Sequence, residues 1–321
     1  MARHWSCNPI VLIVLAGWLG AAQGVAAAPI VEGHMEWKPD TCLPVDVNNV
    51  TLRLEVATDS SETLNLNPDA AVKAGLRPRG LERFIFATER LEAIDRSIEI
   101  SGHVRTLPVR IAGQALQRAP VIWHQQTRIS ASCDGFVSIW LFAAPRITLL
   151  QPAAPPPTRE ASLELASDGQ WIPDYAGRVE LDGDSLRAAI DLTVPDTVVN
   201  AAAAQLLERN DRLRRSGVIA LHAVRYGLTR AAERAELVGY SPLGLRLPEV
   251  FVHGERRTEP ATTSAPPEGV APGEVAPVTV QGRRSKPLDP PALTLGYKAV
   301  ANCRSLTFDR TTHTVTLACA D

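Results

Sequence analysis

Two stretches of the chain, residues 52–65 (LRLEVATDSSETLN) and 186–199 (LRAAIDLTVPDTVV), align without a gap, so any fold for this sequence has to contain the same unit twice. Leu52, Arg53, Val56, Glu62, Thr63 and Leu64 fall on Leu186, Arg187, Ile190, Asp196, Thr197 and Val198, and Ala57 falls on Asp191. Each copy passes from strand-like alternation through a turn into a second short apolar run. Each is then followed by an Asn and an Ala-rich helical stretch. A segment that repeats together with its context repeats a supersecondary unit, and the chain therefore reads as an internal duplication.

Length agrees with that reading. A chain of 321 residues with 45% hydrophobic content buries a sizeable core and suits about two domains. Its net charge of −2 gives no electrostatic footing for nucleic acid or an anionic membrane. Residues 1–28 carry the pattern of a secretory signal peptide: Arg3 and His4, an apolar run from Ile10 to Leu19 too short to span a bilayer, then small residues up to Ala28. Cleavage near Ala27 or Ala28 leaves a mature chain with no integral membrane span, and the Ala- and Arg-rich composition points to a bacterial periplasmic or secreted protein.

Along the first half, residues 41–56 alternate as one half-buried strand, with Val50, Leu52, Leu54 and Val56 on one face. Asn67-Pro68-Asp69 reads as a side-chain-capped helix start, and Gly75 as its end. Short strand candidates follow up to residue 150. Residues 151–158, rich in Pro, form a connector, so the expected division is 29–150 and 159–321. In the second half Asn200 is expected to cap a helix from Ala201 to Leu207. Residues 256–291, with eight prolines in 36 positions, read as an inserted, unfolded tract.

Removing the signal takes away Cys7 and leaves Cys42, Cys133, Cys303 and Cys319, an even number in an exported chain and therefore a candidate for two disulfides. A C-terminal hairpin that pairs Asp309 with His313 sets Cys303 across from Cys319, within bonding reach. Cys42 and Cys133 are then left for each other. The seven histidines show no pair at metal-ligand spacing, and neither a phosphate loop nor a nucleophile elbow occurs, so no metal or other cofactor is expected.

The order strand, acidic turn, apolar pair, helix, several strands, hydrophobic-Gly segment and closing hairpin resembles the aspartic peptidases of the pepsin and retropepsin type. Asp191-Leu192-Thr193 lies where that family has Asp-Thr-Gly, and Val198-Val199-Asn200 resembles the run that follows. Leu295-Gly296-Tyr297 resembles its Leu-Gly segment, and Asp134-Gly135-Phe136-Val137-Ser138 the first-half counterpart with Ser for the last Gly. Residues 305–309 and 315–317 look like the closing hairpin. The resemblance implies a mostly β, two-lobed acid-protease fold, and hydrolysis in that family uses two carboxylates sharing a proton. Here Asp191 keeps one and Ala57 stands at the matching position. Asp59 supplies a second acid if the first loop shifts by two residues, making Asp59-Ser60-Ser61 a distorted Asp-Ser-Gly. The leading expectation is a protein with a degraded catalytic pair that holds an extended peptide or protein segment between its lobes. The alternatives are an active aspartic endopeptidase using Asp59 and Asp191, and an envelope-assembly component whose Pro-rich tract reaches a partner.

Overall fold

The computed structural model describes residues 33–58, 62–77, 83–91, 96–124, 127–167, 175–224, 228–253 and 290–321. The expected signal peptide, Asp59 and all but the last two residues of the Pro-rich tract lie outside the described residues. The protein is mostly β.

β1 (Gly33–Glu36) precedes a hairpin of β2 (Cys42–Val47) and β3 (Val50–Ala57). The single strand expected over residues 41–56 is thus two. Asn48 and Asn49 both adopt positive φ, 52° and 65°, a two-residue turn that Asn tolerates, and the buried positions switch from Val45 and Val47 to Leu52, Leu54 and Val56 across it. β4 (Leu64–Leu66), α1 (Pro68–Lys73), the hairpin of β5 (Arg83–Leu91) and β6 (Arg96–Ile111), then β7 (Gln117–His124), β8 (Gly135–Ser138) and β9 (Arg146–Leu150) complete the first half. Its sheet runs β2-β3-β8-β4-β7-β6-β5, and β6 also pairs with β2, which closes six strands into a barrel. Closure removes two edges, and the interior fills with alternate residues such as Leu52, Leu54, Leu64, Leu66, Val109 and Val137.

The second half has β10 (Arg159–Ser167), β11 (Tyr175–Leu181), β12 (Asp184–Asp191), β13 (Val198–Asn200), α2 (Ala201–Arg209), the hairpin of β14 (Leu213–Val224) and β15 (Leu228–Leu237), β16 (Val250–His253), β17 (Ala292–Gly296), β18 (Cys303–Asp309) and β19 (Thr314–Cys319). Strands β11-β12-β17-β13-β16-β15-β14 lie side by side in the same order as β2-β3-β8-β4-β7-β6-β5. β3 is parallel to β8 and β4 antiparallel to it, and β12 and β13 stand in the same relations to β17. α2 starts where Asn200 Oδ1 accepts from the Ala203 N–H at 2.8 Å, and it buries Ala203, Ala204, Leu206 and Leu207. α1 has no such cap, because the side chain of Asn67 is turned elsewhere.

A run of strands from both halves, β1-β9-β18-β19-β10, joins the two units. β9 lies between β1 and β18, so the last strand of the first half is held on one side by the closing hairpin of the second. The hairpin register differs from the expected one by a residue: Asp309 pairs with Thr314. The Asp309 carboxylate accepts from the N–H groups of Thr311 and Thr312, at 2.8 and 3.1 Å, which lengthens the turn through His313. A bulge at Arg304 restores the register, and Cys303 pairs with Cys319 after all. Disulfides join Cys303 to Cys319 and Cys42 to Cys133.

Candidate functional site

The two halves meet where β3 and β12 end. Ala57 pairs with Ser138 and Asp191 with Gly296, each at the last position of a parallel pair that leads into a short 3-10 turn, Ile139–Leu141 or Tyr297–Val300. Strand pairing therefore sets Ala57 and Asp191 at equivalent places. The gapless repeat ends there: Leu66 pairs with Gly135 and Val199 with Leu293, so the connection after Ala57 is one residue longer than that after Asp191.

Thr58 fastens one connection to the other. Its hydroxyl donates to the Ile190 carbonyl at 2.6 Å and accepts from the Leu192 N–H at 3.2 Å, gripping the backbone on both sides of Asp191. Thr58 is 2% exposed, and its own carbonyl accepts from the Trp140 indole N–H at 3.3 Å. Trp140 packs in turn against Tyr175 and Phe308 of the second half, with ring centroids 4.4 and 5.9 Å away. The grip has no mirror image, since Leu192 occupies the place corresponding to Thr58 and has no hydroxyl.

Asp191 is 1% exposed. One carboxylate oxygen accepts from both the N–H and the hydroxyl of Thr193, at 2.9 and 2.5 Å. Burial raises its pKa above the usual carboxylate range, and the two Thr193 bonds oppose the shift without reversing its direction. The connection beyond it is fixed by Tyr297 N–H to the Val194 carbonyl, Lys298 N–H to the Pro195 carbonyl, and a 2.7 Å contact between Lys298 Nζ and Asp196. It passes so close over Gly296 that a Cβ there would sit 2.5 Å from the Asp196 carbonyl oxygen, and only glycine fits.

In the first half the loop before β8 is knitted by Asn67, fully buried, whose amide donates to the Ser130 and Cys133 carbonyls and accepts from the Ile129 and Ser130 N–H groups, all at 2.8–3.1 Å. In the second half, β14 lies at the edge of its sheet and exposes Val218, Ile219 and Leu221 at 52%, 64% and 71%. His222, next along that strand, is buried against Phe251 and His253 of β16.

Of the acids singled out from sequence, only Asp191 can be placed here. Thr58, Trp140 and the His222–His253 pair were not singled out as partners, because their contacts join positions far apart in the chain. Among the described residues no group of three or more His, Cys, Asp or Glu is arranged to hold a metal ion, and no helix is long and apolar enough to cross a membrane. No protein-family model matches the chain, and no curated protein matches it.

Proposed function

We propose that the chain is a non-hydrolytic relative of the two-lobed aspartic peptidases, exported to the periplasm or beyond the cell, that holds an extended peptide or protein segment between its halves. One observation supports the reading: Ala57 and Asp191 end equivalent parallel strand pairs joined by the Thr58 grip, so the position matching Asp191 carries a methyl group and no carboxylate. Hydrolysis by this chemistry needs one carboxylate as base toward water and another as acid toward the carbonyl. A single buried acid, kept toward its neutral form and already bonded to Thr193, supplies neither pair nor base. The repeated strand order supports the two-lobed architecture, and the two disulfides support an oxidising compartment. Binding by strand addition is supported by β14, an edge strand that exposes the apolar Val218, Ile219 and Leu221 beyond its polar start at Arg214 and Arg215.

The test uses the mature chain and its Asp191→Asn variant on unfolded polypeptides, and on an immobilised array of extended peptides with alternating apolar residues. Expected are no pepstatin-sensitive cleavage by either protein, equal peptide capture by both, and capture lost in Leu221→Lys. Cleavage by wild type and not by Asp191→Asn would overturn the reading in favour of an endopeptidase using Asp59 and Asp191. Absence of capture by any peptide would remove the binding half of it.

A further inference from the structure

The β14–β15 hairpin is longer than the strand that supports it. β15 pairs with β16 only from Glu233 to Ala235, while β14 and β15 continue together to Val224 and Leu228. The outer part of the hairpin thus lies beyond the ladder, and an isolated two-stranded ribbon is marginal in water. Two side chains of this outer part reach β16, Arg230 and, more closely, His222. The His222 ring stacks on Phe251 at 4.5 Å between centroids, and its Nε2 lies 2.8 Å from Nε2 of His253.

Donor and acceptor roles in this contact follow from the third member. His253 Nδ1 lies 3.3 Å from Nη1 of Arg230 on β15, and a guanidinium only donates, so Nδ1 accepts and the proton of His253 is on Nε2. That proton points at His222 Nε2, which must accept, and His222 carries its own proton on Nδ1. The sequence Arg230 to His253 to His222 has one consistent set of tautomers, with both rings neutral. An added proton on His253 Nδ1 would meet the guanidinium, and one on His222 Nε2 would meet the N–H of His253. We propose that this neutral histidine pair is an acid-released latch that fastens the outer half of the β14–β15 hairpin to β16.

The surrounding charges favour the neutral state. Arg230 faces both rings and disfavours a positive charge on either. Asp196, from the connection after β12, pulls His222 the other way, but its carboxylate is engaged by Lys298 at 2.7 Å. Burial is the largest influence on both rings; it lowers His222 and, with Arg230 and His222, pushes His253 down to about 3. Once the hairpin lifts, each imidazole returns toward the ordinary value of about 6.5. The seated form thus binds fewer protons than the released form between about pH 6.5 and 3, and acid favours release. The latch stands whether or not the chain binds a peptide.

Hydrogen exchange on the mature chain between pH 7.5 and 5.0, corrected for intrinsic rates, tests it. Protection of the β14 amides from Ile219 to Val224 should fall about tenfold per pH unit below about 6.5 for each proton taken up, while β13 and β17 hold theirs. His222→Phe, which keeps an aromatic ring on Phe251 and cannot titrate, should flatten that dependence. Equal protection at both pH values in wild type, or an unchanged slope in the variant, would overturn the proposal. If the variant does not fold, imidazole nitrogen NMR of wild type decides: Nδ1–H on His222 with Nε2–H on His253 is the expected result. The reverse tautomers, or both rings titrating near 6.5 with β14 undisturbed, would be fatal.

Discussion

Replacing Thr58 with Val strips partners from two buried backbone groups, the Ile190 carbonyl and the Leu192 N–H. An unsatisfied buried group costs about 1 to 3 kcal/mol, so urea unfolding should show a loss of about 2 to 4 kcal/mol, and Thr58→Ser, which keeps the hydroxyl, less than about 1. Asn67→Ala separates two roles in the same way. If Asn67 were only a helix cap the loss would be about 1 kcal/mol; because it satisfies four backbone groups of the 129–133 loop, about 3 kcal/mol or more is expected. Asp191 gives a pH signature. Its carboxyl pKa is raised in the fold, so the native state holds a proton that the unfolded chain gives up above about 3.8, and stability attributable to Asp191 is lost as pH rises through that window. Wild type should therefore lose stability relative to Asp191→Asn on going from pH 4 to pH 7, and a pH-independent difference would contradict it. Asp191 was legible because the repeat singles out its position. Thr58 was not, since its partners lie more than 130 residues away and nothing local distinguishes it from a surface threonine.

At the level of elements, the two disulfides close loops of very different length, with sequence separations of 91 for Cys42–Cys133 and 16 for Cys303–Cys319. Loop-closure entropy predicts losses of about 4.5 and 3 kcal/mol for the paired Cys→Ser variants, so the first-half bond should matter more in thermal unfolding; the reverse order would show that strain or unfolded-state structure dominates. Alternation, Asn caps and glycine stops marked most strands and both helices, including β16 and the start of α2. The hairpin register was missed by one residue because it is set by side chains reaching outside the hairpin: Asp309 holds the turn, and the Arg304 guanidinium at the bulge reaches the Pro152 and Ala154 carbonyls. Likewise Asn67 looked like a cap because its helix follows directly, while the loop it serves lies 62 to 66 residues further on.

For the molecule as a whole, duplication was the readable property, and it reappears as two sheets with one strand order. How the halves interlock was not readable, because the strands that join them carry no mark of which neighbour they will take. β9 between β1 and β18 makes the connector at residues 151–158 a poor place to separate them. A protease site engineered there should yield a nicked protein whose fragments co-elute and melt in one transition; two separate transitions would mean that the halves are independent. The same arrangement bears on the order of synthesis. β1 and β9 are made well before the partner that covers β9, which is β18 at Cys303–Asp309. Until those residues emerge, β9 presents an open edge with Ile147 and Leu149 behind it, so a ribosome-bound chain cannot complete its central sheet, and a stop codon before Cys303 is expected to yield an aggregation-prone remnant and not a shorter folded protein.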